Sequence, residues 1–287
     1  MATLNANGHE IYFEEHGSPK APAIVLSPLI YTNTTVYDSV IRMLSDDFRV
    51  IAYDYRGAGR SKGPASPSID ESVSDATALI EKLGVGPCHF VGNCLGAFVG
   101  MQLAISRPWL LKSCVLMGAL PEANDKDTLS KMDAFIDNAK AHGMKDSAEA
   151  FAETWFGATF KATKDPIQVT RRERWLREIA HLGPEEVEAA RQIFHRNDVT
   201  KDLDKIRCEL LVIAGDEDSA TSLASYKKLV NAVPGAEFKL IHHAGYALVI
   251  EQPEEVAECI RNFCQKVDRH LTHRSKQTAR DLGARSL

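Results

Sequence analysis

The sequence predicts an α/β protein: a mostly parallel central sheet flanked by helices, with a block of helices inserted between two parts of the sheet. Three observations carry that reading. Short apolar runs at 23–28, 49–54, 88–92 and 111–117 are too uniformly apolar for a sheet with one face in water, so each reads as a strand buried on both faces. Stretches of helical periodicity at 36–44, 70–83 and 97–106 alternate with them over short connections, the pattern of parallel strands joined by crossovers. From about 122 to 204 no strand pattern occurs, only helical stretches at 129–142, 147–155, 172–181 and 185–195, before strands resume at 209–215 and 237–241.

Taken in chain order, residues 10–16 show the mixed alternation of an exposed strand, and Gly84 marks the stop of the helix over 70–83. The helix over 97–106 ends before Pro108, and a helix over 253–267 closes the globule. This gives a core over 1–120, a helical lid over 121–204 facing the strand ends, a second part of the core over 205–267 and a basic tail over 268–287. From 266 onward the chain has six Lys or Arg against two Asp, a net +4 beside −9 for the rest, which reads as a solvated or frayed extension. A chain of 287 residues buries one large core with a modest insertion.

The net charge of −5 argues against nucleic acid as a partner, which would require a basic face. No apolar run approaches the ~18 residues of a membrane span, and the N-terminus has no basic-then-apolar signal pattern. The six cysteines are scattered, without metal spacing, so neither a metal nor another cofactor is expected, and a reduced cytoplasmic protein follows.

The chemistry concentrates at Gly92-Asn93-Cys94-Leu95-Gly96, between a strand and a helix. A strand that turns sharply into a helix strains the central residue, and glycines are needed at the flanks because the backbones nearly touch. The turn lifts the Cys94 side chain over the first helical turn, where backbone N–H groups and the positive helix end favour an anion. A cysteine so placed is expected to ionise more readily than in water.

This elbow, together with Asp54-Tyr55-Arg56-Gly57-Ala58-Gly59-Arg60-Ser61, resembles the α/β-hydrolase superfamily, in particular its enol-lactone hydrolase and esterase branch. The likeness covers about 20–118 and 205–267. It implies an α/β-hydrolase fold in which Cys94 stands where serine is usual. The family's acid falls on Asp218, three residues after Gly215. The family's histidine position falls, without a gap, on Tyr246 ahead of the Glu251-Gln252-Pro253 segment. A phenol is a poor base at neutral pH. Other histidines therefore come into question, His243 at the end of the last strand and His195 in the helical block. The oxyanion donors implied are the backbone N–H groups of Leu95 and, by position, Leu29. Tyr31, Asn93, Trp155, Phe156, Phe194 and His195 are candidates to line the pocket, which then takes a small apolar or aromatic molecule.

Three functional readings remain open on the sequence. The first is an enzyme that uses Cys94 for acyl transfer, cyclisation or hydrolysis of a small ester, lactone or thioester. The second is a ligand-binding protein that has lost the base. The third is an enzyme on this fold whose chemistry, a lyase reaction or proton transfer, does not use Cys94 as nucleophile.

Overall fold

A computed structural model of the chain describes residues 2–64 and 67–284. Eight strands, β1 (Ala2–Ala6), β2 (His9–His16), β3 (Ala23–Ser27), β4 (Arg49–Tyr53), β5 (Cys88–Asn93), β6 (Leu111–Met117), β7 (Glu209–Gly215) and β8 (Glu237–Ile241), form one sheet in the order β1-β2-β4-β3-β5-β6-β7-β8. β1 pairs antiparallel with β2 and β2 antiparallel with β4, while β4 to β8 run parallel. β5 lies centrally and is buried along its whole length, as its apolar run requires.

The crossovers supply α1 (Asp38–Leu44), α2 (Ile69–Lys82), α3 (Leu95–Ser106) and, after the helical block, α9 (Leu223–Ala232). Ser68 opens α2 with a capping box: its side chain accepts from Glu71 N–H and the Glu71 carboxylate accepts from Ser68 N–H. The loop after β4 is held by the buried Arg56–Asp75 pair, two hydrogen bonds of 2.6 Å, and by Asp54, which accepts from the N–H groups of Thr34 and Arg60. These contacts fix the loops at the carboxyl ends of β3 and β4.

Between β6 and β7 lie α4 (Lys126–His142), α5 (Lys145–Trp155), α6 (Ala158–Ala162), α7 (Pro166–Ala180) and α8 (Pro184–Phe194), with no strand among the described residues there. α7 starts earlier than periodicity suggests, because Asp165 caps the N–H groups of Ile167 and Gln168 ahead of Pro166. α10 (Leu248–Glu251) and α11 (Pro253–Ala284) complete the chain.

Two further differences from the sequence reading lie at the ends of the chain. β1 is an additional edge strand, short and polar enough to carry no alternation signal. The stretch over 268–284, expected as a solvated or frayed extension, continues α11 as helix, with residues 269–274 exposed. Its first residue, Asp268, accepts from Lys112 Nζ (2.9 Å) and meets the buried His89 (3.2 Å), which ties the helix to the sheet. The basic side chains beyond Arg274 lie outside the described residues.

Candidate active site

The site grows from the close approach of three backbones. A Cβ on Gly92 would stand 2.0 Å from the Gly96 carbonyl carbon, and one on Gly96 would stand 2.0 Å from the Ser27 oxygen. Only glycine permits β5, α3 and the end of β3 to meet this way. Between the glycines, Cys94 sits at φ 55°, ψ −116°, a backbone region that L-residues rarely adopt, and its N–H is held by the Met117 carbonyl at 2.8 Å. The turn delivers the Cys94 sulfur, almost fully buried, to a cavity of about 570 Å³ between the strand ends and the helical block.

Three donor groups lie beside Cys94 and favour its anion: the backbone N–H groups of Leu95 and Ile30 and the hydroxyl of Tyr246. Burial pushes the thiol above its ordinary range, opposed by these donors and by the nearby positive charge of Arg196. The expectation of a readily ionised thiol is therefore corrected, because desolvation of the sulfur outweighs the helix end and the donors. Burial, reinforced by the neighbouring Cys94, also raises the Tyr246 phenol well above its ordinary value. Cys94 and Tyr246 are thus both neutral at neutral pH.

Tyr246 is fixed from both sides. Its carbonyl accepts from Asn93 Nδ2 (3.1 Å), its N–H donates to the Trp155 carbonyl (3.0 Å), and the Trp155 ring lies 5.2 Å from its own. The buried Glu251 completes the clamp by accepting from the N–H groups of Gly157 and Gly245, both at 2.9 Å through one carboxylate oxygen. Its other oxygen, Oε1, is buried without a partner. Burial pushes the Glu251 carboxyl up to about 7. A carboxyl raised above its unfolded value contributes stability that is fully present below about 4.5 and is lost as pH rises through about 7. Glu251→Gln is accordingly expected to flatten this part of the pH dependence. Urea unfolding of both proteins at pH 5 and pH 8 should show the wild type losing up to about 3 kcal/mol more than the variant between the two.

Asp218 lies close enough to influence Tyr246, but its hydrogen bonds go elsewhere: Oδ2 accepts from the Tyr226 hydroxyl (2.7 Å), Oδ1 from the N–H groups of Ala220 and Thr221 (2.8 Å each). Burial raises this carboxyl, with the three donors opposing.

Several sequence candidates are placed elsewhere. The second amide at the sulfur belongs to Ile30, one residue beyond Leu29, whose side chain is packed into the core and whose carbonyl closes a turn with Thr32. Tyr31, at φ 63° in that turn, donates to the Val187 carbonyl (2.8 Å), packs on Phe151 (5.7 Å between ring centres) and lines a neighbouring cavity of about 350 Å³. His243 takes φ 58° just after β8, which turns its ring to solvent beside Thr159 and Glu217 while Ala244 to Ala247 run inward. His195 turns toward α4, where its ring meets the Asp133 carboxylate at 3.0 Å. Asn93 is a backbone tie and does not line the cavity. Phe156 packs between Phe160 and Trp175 in the core of the helical block. Trp155 and Phe194 do face the cavity.

Sequence reasoning missed Ile30, Phe98 and Arg196. Phe98 follows Cys94 by one helical turn, a spacing that places it on the same face of α3 and could have been read. Nothing in the local sequence marks Arg196 as a residue of the cavity wall. Among the described residues no cluster of side chains suited to a metal ion is present, and no helix is long and apolar enough to cross a membrane.

Residues 22–253 match the family model described as alpha/beta hydrolase fold. The chain is 28% identical over 263 residues to a protein of Pseudomonas syringae pv. syringae named "Putative carbamate hydrolase RutD", covering 89% of this chain and 97% of that one. It is 24% identical over 253 residues to 3-oxoadipate enol-lactonase 2 of Acinetobacter baylyi, covering 88% and 92% of the two chains. The crystal structure of the enol-lactonase from Burkholderia xenovorans superposes with a TM-score of 0.82 at 23% identity, over 91% of this chain and 98% of that one.

Proposed function

The chain belongs to the α/β-hydrolase fold family, and on that premise we propose that it is an acyl-transfer enzyme in which Cys94 attacks a small ester, lactone or thioester. The observation that carries the reading is the strained turn that holds a buried Cys94 on the wall of the cavity that Tyr246 also lines, with the Ile30 and Leu95 amides beside it. In this reading Cys94 stands in for the usual serine and Tyr246 for the usual histidine. The hydrolases and lactonase that the chain resembles supply the substrate class, and the helical block over 121–204 serves as the lid.

The step balances without a base. The Cys94 sulfur adds to the acyl carbon, and the two amides stabilise the oxygen that becomes negative. As the S–H bond breaks, Tyr246 accepts its proton and passes its own to the leaving oxygen. The acyl–oxygen bond breaks, and a thioester on Cys94 remains. A neutral phenol that gives and takes one proton in the same step need not ionise, which suits a hydroxyl held far above its ordinary range.

Discharge of the thioester is the slow half. No histidine lines the cavity among the described residues, so water attacks without general-base help and an amine, alcohol or thiol acceptor is the effective partner. The aromatic walls from Phe98, Phe135, Phe151, Trp155 and Phe194 suit an apolar acyl chain.

Incubation with a panel of activated acyl esters, read by intact mass, tests this proposal. The expected result is one acyl group per chain in the wild type and none in Cys94→Ala. Turnover that persists in Cys94→Ala would overturn the nucleophile in favour of chemistry led by Tyr246. The absence of both adduct and turnover would leave the cavity as a ligand-binding site.

A further inference from the structure

Arg196 follows the end of α8 and lies against the cavity wall, with its guanidinium 4.2 Å from the centre of the Phe98 ring. One terminal nitrogen donates to the Glu122 carbonyl at 2.8 Å, the other makes a long contact of 3.5 Å with the Ile193 carbonyl, and Nε is buried with no partner. No carboxylate forms an ion pair with it among the described residues, whereas Arg191, five positions earlier, has three acidic partners. Arg196 remains charged wherever it is placed; the Glu122 and Asp198 carboxylates stand within its electrostatic reach but form no direct ion pair with it, so on the side of the largely apolar cavity the cation has no partner.

The rest of the lining points the same way. Among the described residues the only other charged side chain on the wall is the exposed Lys131, and no Asp or Glu lines the cavity. Cys94 and Tyr246 both lie within the electrostatic reach of Arg196. A half-buried guanidinium over an aromatic face, on the wall of an apolar cavity and beside a reactive sulfur, is a receptor for a planar anion that meets its terminal nitrogens. Its cost of burial is offset when that anion arrives.

We propose that the Cys94 cavity selects acyl substrates bearing a free carboxylate, which Arg196 holds while the acyl carbon is presented to Cys94. This rests on the acyl-transfer reading and narrows it to the esters, lactones or thioesters of acids with a second, ionised carboxyl group.

A pair of thiol reagents that differ only in charge, iodoacetate and iodoacetamide, tests the proposal without any acyl chemistry. The readout is the ratio of their rate constants at Cys94, followed by peptide mass. Both reagents meet the same thiol, so any change in its ionisation cancels from the ratio. In Arg196→Gln the iodoacetate to iodoacetamide ratio is expected to fall on the order of tenfold relative to wild type. Arg196→Lys, which keeps the charge and guards against simple misfolding, should retain most of the preference.

An unchanged ratio in Arg196→Gln, or a ratio that tracks Lys131→Gln instead, overturns the site. Where neither reagent reaches Cys94, calorimetric titration with glutarate decides: binding lost in Arg196→Gln supports the proposal, and no binding to the wild type at millimolar glutarate overturns it. An anion preference without any acyl adduct from the ester panel would keep Arg196 as a carboxylate site and overturn the acyl-transfer reading, and with it the claim that the carboxylate belongs to an acyl substrate.

Discussion

Tyr246→His is expected to raise the turnover of small activated esters by about 10²–10⁴-fold, the usual contribution of a positioned general base. The phenol at this position cannot hold a proton taken from water, because burial and Cys94 keep it from ionising. An imidazole titrates near pH ~6.5 and can activate the water that discharges the thioester. The frame to receive it exists: the Tyr246 backbone is held by Asn93 and by the Trp155 carbonyl, and Asp218 stands on the neighbouring loop. Asp218 would have to give up Tyr226, so Tyr226→Phe added to Tyr246→His should increase the gain further. The gain should grow with pH through the imidazole range, since the neutral form is the base. Steady-state release of p-nitrophenol from p-nitrophenyl acetate checks this. A variant that folds normally and turns over no faster than the wild type would mean that water access, and not the missing base, limits the reaction.

Cys94→Ser should move the reaction in the other direction and lose acylation by roughly three orders of magnitude, the scale of removing a base from a serine-dependent site. A thiol is the stronger nucleophile near neutrality and transfers its proton more easily to a neutral hydroxyl. A serine beside Tyr246 has neither advantage. The double variant Cys94→Ser, Tyr246→His should recover most of that loss, so the two positions should behave as a unit and not additively. Single-turnover acylation rates of the four proteins form the cycle. Near-equal rates for the cysteine and serine proteins beside Tyr246 would show that the proton relay does not depend on the sulfur.

Much of the frame was legible in the sequence because its physics is local. A strand buried on both faces must be largely apolar, and the runs at β3, β5, β6 and β7 are, the buried His89 and Ser113 being hydrogen-bonded to each other. The elbow was legible because glycines at 92 and 96 flank a strand-to-helix turn, and the 2.0 Å approaches at both show why no other residue serves. β1 was not legible, since an edge strand with little burial has no pattern to display.

The site was readable only where a single turn of chain sets the geometry. Leu95 follows the elbow directly and its amide lies beside the sulfur, whereas the second amide depends on how 27–32 folds against the elbow, which brings Ile30 there and not Leu29. His243 was a reasonable candidate by distance along the chain, yet one residue at positive φ sends its ring outward. Arg196 was invisible because its burial is set by Phe98 and Glu122, about 100 and 70 residues away in sequence.

The central claim is that Cys94 accepts an acyl group faster than the site can release it to water. Pre-steady-state hydrolysis of p-nitrophenyl acetate at neutral pH tests it most directly. The account predicts a burst of one p-nitrophenol per chain followed by a much slower steady rate, with added amine or thiol raising the steady rate and leaving the burst unchanged. A linear time course from the first turnover, equal in wild type and Cys94→Ala, would contradict it.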